Sequence, residues 1–198
     1  MIRILAATLF AALSVQAAAQ TPPVRVRGTV EKVENLVMTV KTREGGTANI
    51  KLAENYAVVG VSKASLDDLG KGKYIGTATL GLRDGALVAL EVHIFPDAMR
   101  GTAEGHYPWD LAPQSLMTNA NIAQISSVGK DRMLTVQYKD GEKKIFVPAK
   151  AEIVSFGPAD RSELKKGVQI FCVAQRQPDG SLTAARVNVG LQGITPPM

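Results

Sequence analysis

The sequence predicts an all-β chain made of two copies of one small domain. Three observations support this: an internal repeat, alternation of apolar and polar residues, and turn residues at matching positions. Residues from Ile50 to Ile75 align without a gap with residues from Ile145 to Ile170, so corresponding positions lie 95 residues apart. Such self-similarity indicates duplicated structural units. We therefore predict one β domain over residues 24–95 and a second over residues 120–190.

The repeat extends into the neighbouring hairpins. Asp84-Gly85 aligns with Asp179-Gly180 at the same offset, and Met38-Thr39-Val40 matches Leu134-Thr135-Val136 after a shift of one residue. The shift falls at a glycine turn, where an inserted residue is readily tolerated.

Each copy has the pattern of β structure. Val24 to Val30 and Leu36 to Thr42 alternate apolar and polar residues, as half-buried strands do. Leu87 to Phe95 closes the first copy in the same way. In this last strand the alternation predicts that Val92 faces the core and His93 faces solvent.

One short helical turn interrupts the strands of each copy. Ser65-Leu66-Asp67-Asp68 and Asp160-Arg161-Ser162-Glu163 both have the spacing of a capping box. Leu69 and Leu164 follow the two turns and are predicted to point into the core. Strands with one such turn in about 70 residues predict a small OB-like β-barrel for each copy, and we expect the two barrels to pack together.

The first residues have the features of a secretory signal peptide over residues 1–19. Arg3 precedes the apolar run from Ile4 to Leu13, and Ala17-Ala18-Ala19 supplies small residues for cleavage before Gln20. No later run reaches the eighteen or so apolar residues of a transmembrane helix. The sequence thus predicts a secreted protein without a membrane span.

Charge and cysteine content exclude some classes of function. The formal net charge is +5, but the charges are interspersed, so no basic patch for nucleic acid is predicted. The single cysteine, Cys172, lies in an apolar run and is interpreted as a buried small hydrophobe. An intermolecular disulfide or a reactive thiol is the alternative.

Residues 96–119 belong to neither copy and contain the only tryptophan. We interpret this inter-domain segment as an ordered linker in which Tyr107, Trp109 and Leu111 fill the seam between the barrels. The indole N–H is expected to donate to a carbonyl. Residues 191–198 form a C-terminal tail. The candidate ligand-binding or seam residues are Arg100, Glu104, His106, Tyr107, Trp109 and Asp110.

A metal site is an alternative interpretation of the same region. Imidazole and thioether groups suit copper, and imidazole suits zinc. The candidate ligands are His93, Met99, His106 and Met117. Asp110 is four residues after His106 and is predicted to orient its ring.

Six short runs in and after the central segment carry a resemblance. They resemble the pattern of an uncharacterised family of secreted proteins from Gram-negative bacteria, some of which are labelled "metal ABC transporter permease". The resemblance implies two small OB-like domains in the periplasm and no catalytic residues. A permease needs several membrane spans, so that label is not transferred. The runs are Met99-Arg100-Gly101-Thr102, Glu104-Gly105-His106, Pro108-Trp109-Asp110-Leu111, Met117-Thr118-Asn119, Arg186-Val187-Asn188-Val189-Gly190 and Thr195-Pro196-Pro197-Met198.

These observations together favour a non-enzymatic periplasmic binding or scaffold protein. The expected partner is a cell-envelope protein or a carbohydrate, because OB-like barrels bind extended ligands and nucleic acid is scarce in that compartment. The first alternative is a periplasmic metal-binding accessory protein. The second is a hydrolase of unknown type, although the sequence has neither a nucleophile elbow nor a phosphate-binding loop.

Overall fold

The computed structural model describes residues 22–198, which form thirteen β-strands and four single 3-10 turns. The all-β prediction is confirmed. The predicted signal peptide lies outside the described residues, and no helix within them is long and apolar enough to cross a membrane. The strands are β1 Val24–Glu34, β2 Val37–Thr42, β3 Thr47–Lys63, β4 Tyr74–Arg83, β5 Ala86–Ala89, β6 Glu91–Ile94, β7 Gly105–Pro108, β8 Leu116–Val128, β9 Asp131–Tyr138, β10 Gly141–Val147, β11 Glu152–Pro158, β12 Gln169–Arg176 and β13 Leu182–Gly190. The turns are Leu66–Asp68, Asp97–Met99, Arg161–Glu163 and Leu191–Gly193.

Five strands close a barrel in the order β1, β2, β3, β13, β12 and back to β1. All of these pairings are antiparallel except that between β3 and β13, which is parallel. The interior is apolar, with Val40, Ile50 and Val187 fully buried. This closed five-stranded barrel is consistent with the expectation of an OB-like barrel.

A second ring of pairings runs through β8, β9, β10, β5 and β4, and the β4–β8 pair closes it. Here the parallel pair is β5 with β10. Ile75, Ile122 and Leu134 are fully buried in its interior. The second ring thus repeats the order of the first barrel, with β8, β9 and β10 in the places of β1, β2 and β3.

Each ring combines strands from both halves of the chain, which corrects the expectation that each repeat closes its own barrel. The first barrel joins β1, β2 and β3 to β12 and β13, and the second ring joins β4 and β5 to β8, β9 and β10. The helical turns follow the same exchange. Leu69 packs in the core of the second ring, whereas Leu164 packs in the core of the first barrel.

The exchange takes place where β3 crosses β11. The two strands pair antiparallel, with Val61 opposite Phe156 and Gly60 opposite Gly157. Val61 and Phe156 are also 95 residues apart, so the crossing is centred on equivalent positions of the sequence repeat. A third apolar cluster, which includes Tyr74, surrounds this crossing and links the two rings.

Both predicted helical turns are present and capped. The Ser65 N–H donates to Asp68 Oδ2 at 2.8 Å, as a capping box requires. In the other copy the Ser162 N–H donates to the Asp160 carboxylate at 2.8 Å. The two turns are predictable from sequence because a cap depends on residues that are neighbours in sequence.

Candidate functional site

A cleft of about 710 Å³ lies between the first barrel and the central segment 96–119. We refer to it as the cleft. One wall comes from β1, β3, β12 and β13, and the other from β6, β8 and the central segment. Five aromatic rings line it: Phe95, Tyr107, Trp109, Phe156 and Phe171.

Strand alternation aims the side chains of β8 into the cleft. Met117 and Asn119 line the cleft, whereas Ala120 lies in the interior of the second ring. Successive strand residues point to opposite faces, so β8 serves the cleft with one face and the core of the second ring with the other.

A buried carboxylate–imidazole pair stands on β6. Glu91 is 1% exposed and His93 is 4% exposed, and Glu91 Oε2 lies 3.0 Å from His93 Nδ1. The other carboxylate oxygen accepts from the Ala78 N–H at 2.7 Å. The prediction that His93 faces solvent is therefore wrong. Strand β6 is buried on both faces, because its outer face is covered by the crossing strand and the central segment.

The His93 ring is held among aromatic side chains. It stacks on Phe156 and meets Phe95 edge-on, with both centroids 5.0 Å away. Gly76 allows this position, because a Cβ there would lie only 1.9 Å from His93 Nε2. Glu91 fixes one ring nitrogen, and His93 itself lines the cleft.

Asn119 is fixed on the same wall. Its Nδ2 donates to the carbonyl oxygens of Thr102 and Ala103, at 3.2 and 3.1 Å, and to Tyr107 Oη at 3.2 Å. These acceptors set the orientation of the amide, since only the nitrogen can donate. Asn119 Oδ1 is buried and has no hydrogen-bond partner among the described residues.

Trp109 lies across the cleft, as the seam interpretation expected. The Arg25 guanidinium covers its ring at 4.0 Å, and Phe171 meets the ring at 6.2 Å. The expected hydrogen bond to a carbonyl is wrong: within the described chain, Trp109 Nε1 is buried without a partner, and so is Asn188 Oδ1. A buried polar group without a partner costs about 1–3 kcal/mol, so these atoms favour an occupant that pairs with them.

Asp110 binds arginines of β1 and does not orient His106, which corrects the sequence prediction. Arg27 Nη2 donates to Asp110 Oδ1 at 2.6 Å, and Arg25 Nη1 lies 3.6 Å from Oδ2. Burial alone would raise the pKa of Asp110, but the hydrogen bond and charge of Arg27, with the charge of Arg25, outweigh burial and lower it. Asp110 thereby ties the central segment to the first barrel.

His106 points away from the cleft. Its Nδ1 lies 2.8 Å from Thr118 Oγ1, and its ring stacks with Tyr138 at 6.4 Å. Burial, aided by the positive charge of Lys143, lowers the pKa of His106. A neutral imidazole is therefore favoured at this position.

The four predicted metal ligands are not brought together. His93, Met99 and Met117 line the cleft, but His106 lies on the other side of its strand. Across residues 22–198, no three His, Cys, Asp or Glu side chains form a group that could hold a metal ion. The set proposed for copper or zinc is thus wrong as a single site.

Arg100 and Glu104 fasten the central segment to the second ring and do not line the cleft. Arg100 donates to the Gly72 carbonyl at 3.1 Å and to Asn121 Oδ1, and Glu104 accepts from the Lys139 N–H at 3.0 Å. They hold the wall that carries Tyr107.

Cys172 is fully buried in the core of the first barrel. Burial raises the pKa of its thiol to about 12. The interpretation as a buried small hydrophobe agrees with this environment.

The sequence identified Tyr107, Trp109, His93 and the two methionines among the lining residues of the cleft. It did not identify Asn119, which also lines the cleft, or Glu91, which holds His93 from behind the lining. A signal for Glu91 existed. Glu91 and His93 share one face of a strand whose other face is apolar, and such a pair is compatible with burial when the two side chains satisfy each other. The aromatic walls at Phe156 and Phe171 could not be found, because they depend on the exchange of strands.

No family model, curated protein or solved structure matches the chain. The functional conclusion therefore depends on the geometry of the cleft.

Proposed function

We propose that the chain is a non-enzymatic periplasmic binding protein and that its cleft holds a small ligand with an apolar body and a negative charge. The observation that supports this most is the combination of aromatic walls with buried polar atoms that lack partners. Pockets for small molecules measure about 300–1,000 Å³ and combine apolar walls with a few fixed polar groups. The cleft has this size and this composition.

The charge of the ligand is inferred from the lining residues. Arg25 and Arg186 carry the charged side chains among them. Asp110 neutralises mainly Arg27, because Arg27 Nη2 lies 2.6 Å from its carboxylate, whereas Arg25 Nη1 lies 3.6 Å away. An anionic group at the cleft would therefore find positive charge that is not fully paired.

The location and the repeat are part of the proposal. Residues 1–19 would direct the chain to the periplasm and be removed. The two rings would descend from one duplicated OB-like unit, which the 95-residue offset at the Val61–Phe156 pair supports. A cell-envelope protein or carbohydrate partner, the metal accessory role and the hydrolase remain predictions from sequence.

The test uses the aromatic sulfonate dye 1-anilinonaphthalene-8-sulfonate (ANS) as probe. Trp109 is the only tryptophan, so energy transfer from it to the dye reports on the cleft. We expect saturable one-to-one binding by residues 20–198. The variants Ala57→Phe and Ala185→Phe, at exposed positions of the lining, should weaken binding about tenfold because they fill the cleft.

Leu82→Phe is the matched control. It adds a ring at a side chain that is 70% exposed and outside the lining residues, so ANS binding should not change. Equal binding by the control and the two filling variants would show that the dye binds elsewhere and would refute the proposal.

A further inference from the structure

His93 and Asn119 form one polar corner in the otherwise apolar cleft. Both His93 Nε2 and Asn119 Oδ1 lie close to the point where a Cβ on Gly76 would stand, at 1.9 and 2.4 Å. The two atoms are therefore neighbours. Neither makes a hydrogen bond to another of the described residues.

Both atoms are hydrogen-bond acceptors. An ionised carboxylate can only accept, so a ring with one hydrogen carries it on Nδ1 opposite Glu91, and Nε2 is then an acceptor. The amide nitrogen of Asn119 is held by Thr102, Ala103 and Tyr107, which leaves its oxygen at the corner. Two adjacent acceptors cannot satisfy each other, whereas a ligand with two neighbouring donors can pair with both.

The residues around the corner favour one class of ligand over others that also carry two donors. Phe95 and Phe156 flank the imidazole, so a flat aromatic ring fits beside it. A sugar would press its remaining hydroxyl groups against these rings without partners, which is unfavourable. An organic ammonium also donates twice, but Arg25 and Arg186 at the cleft repel it.

We propose that the polar corner binds the two neighbouring hydroxyl groups of a catechol whose side chain carries an anionic group. This inference rests on the proposed function, because it names the class of ligand for the same cleft. One hydroxyl donates to His93 Nε2 and the other to Asn119 Oδ1. The anionic group is attracted by the arginines at the cleft.

The test compares caffeate, ferulate and cinnamate by titration calorimetry against residues 20–198. The three share one skeleton and carry two hydroxyls, one hydroxyl with one methoxy group, and none. We expect caffeate to bind about tenfold more tightly than ferulate and tighter still than cinnamate, because each missing donor leaves an acceptor of the corner unpaired. Affinities within threefold of one another, or tighter binding of phenethylamine than of caffeate, would overturn the catechol proposal.

Failure of this inference is distinguishable from failure of the proposed function. Binding of ANS at the cleft without preference for caffeate refutes only the catechol, whereas absence of binding by ANS and by all three acids refutes both.

A double variant tests the corner itself. Glu91→Gln with His93→Phe keeps an acceptor for the Ala78 N–H and a ring against Phe156, and it removes Nε2. Caffeate should lose its advantage over cinnamate, while cinnamate affinity stays within threefold. His106→Phe changes the other histidine outside the cleft and should leave the preference intact. If the double variant fails to fold, the comparison of the three acids on the unchanged protein still tests the catechol proposal.

Discussion

Replacing the buried Glu91 with alanine should destabilise the fold more than replacing an exposed acidic side chain such as Glu104. The carboxylate is 1% exposed, and it accepts from the Ala78 N–H at 2.7 Å and faces His93 Nδ1 at 3.0 Å. Glu91→Ala leaves both donors buried and unpaired, at about 1–3 kcal/mol each. The missing methylene groups add a cavity. We expect a total loss of about 3–5 kcal/mol in the free energy of unfolding.

Glu91→Gln separates the hydrogen bonds from the charge. Its carbonyl oxygen can accept from Ala78, and its amide can donate to His93 once the ring hydrogen moves to Nε2. The expected loss is only about 1 kcal/mol. Glu104→Ala is the control, because that carboxylate is exposed and accepts from one backbone N–H. It should change stability by less than about 1 kcal/mol.

The assays are urea unfolding, which measures the free energy of unfolding, and thermal unfolding, both followed by Trp109 fluorescence. A loss of 3–5 kcal/mol should lower the melting temperature by roughly 2–4 °C per kcal/mol in a chain of this length. The reasoning is refuted if Glu91→Ala and Glu91→Gln are equally stable, since the two donors would then be satisfied in another way.

Three further predictions concern Cys172, Gly76 and Asp110. Cys172 should resist thiol reagents at about pH 8 in the native state and react after unfolding, because burial raises its pKa to about 12; rapid native labelling, measured by mass spectrometry, would contradict this. Gly76→Ala should cost about 1–3 kcal/mol in urea unfolding, because its Cβ would meet His93, while Gly157→Ala, with no atom within 4 Å, should cost less; equal losses would contradict the close approach. Asp110 has a lowered pKa in the fold, so its contribution to stability is complete above about pH 4 and is lost as pH falls through the lowered value. The difference in stability between the wild type and Asp110→Asn should therefore shrink on acidification, and a constant difference would exclude the ion pair as its source.

The sequence was sufficient for the fold class and for local features. Alternation and capping depend on neighbours along the chain, so the strands and the turns at Ser65 and Asp160 could be predicted. The exchange of strands could not. Both copies carry the same apolar pattern, and Leu69 and Leu164 fit either core, so pattern alone does not say which copy completes which barrel. That choice is made at the crossing of β3 and β11, a contact that is distant in sequence.

The sequence predicted only part of the site, because some of its contacts also join residues that are distant in sequence. The single tryptophan marked the central segment, and Trp109 does lie in the cleft. The alternating pattern predicts that His93 faces solvent only if one face of the strand is exposed. Strand β6 is instead buried on both faces. His106 and Asp110 are close in sequence, yet they turn to different partners, Thr118 and Arg27.

The central claim is that the cleft is a ligand site, and the indole N–H of Trp109 tests it most directly. In a ¹H–¹⁵N correlation spectrum the single tryptophan gives one indole cross-peak. Titration with ANS should shift this cross-peak to saturation, together with the amides of Ala57 and Ala185, while the amide of Leu82 stays in place. An indole cross-peak that does not move while amides elsewhere shift would contradict the account.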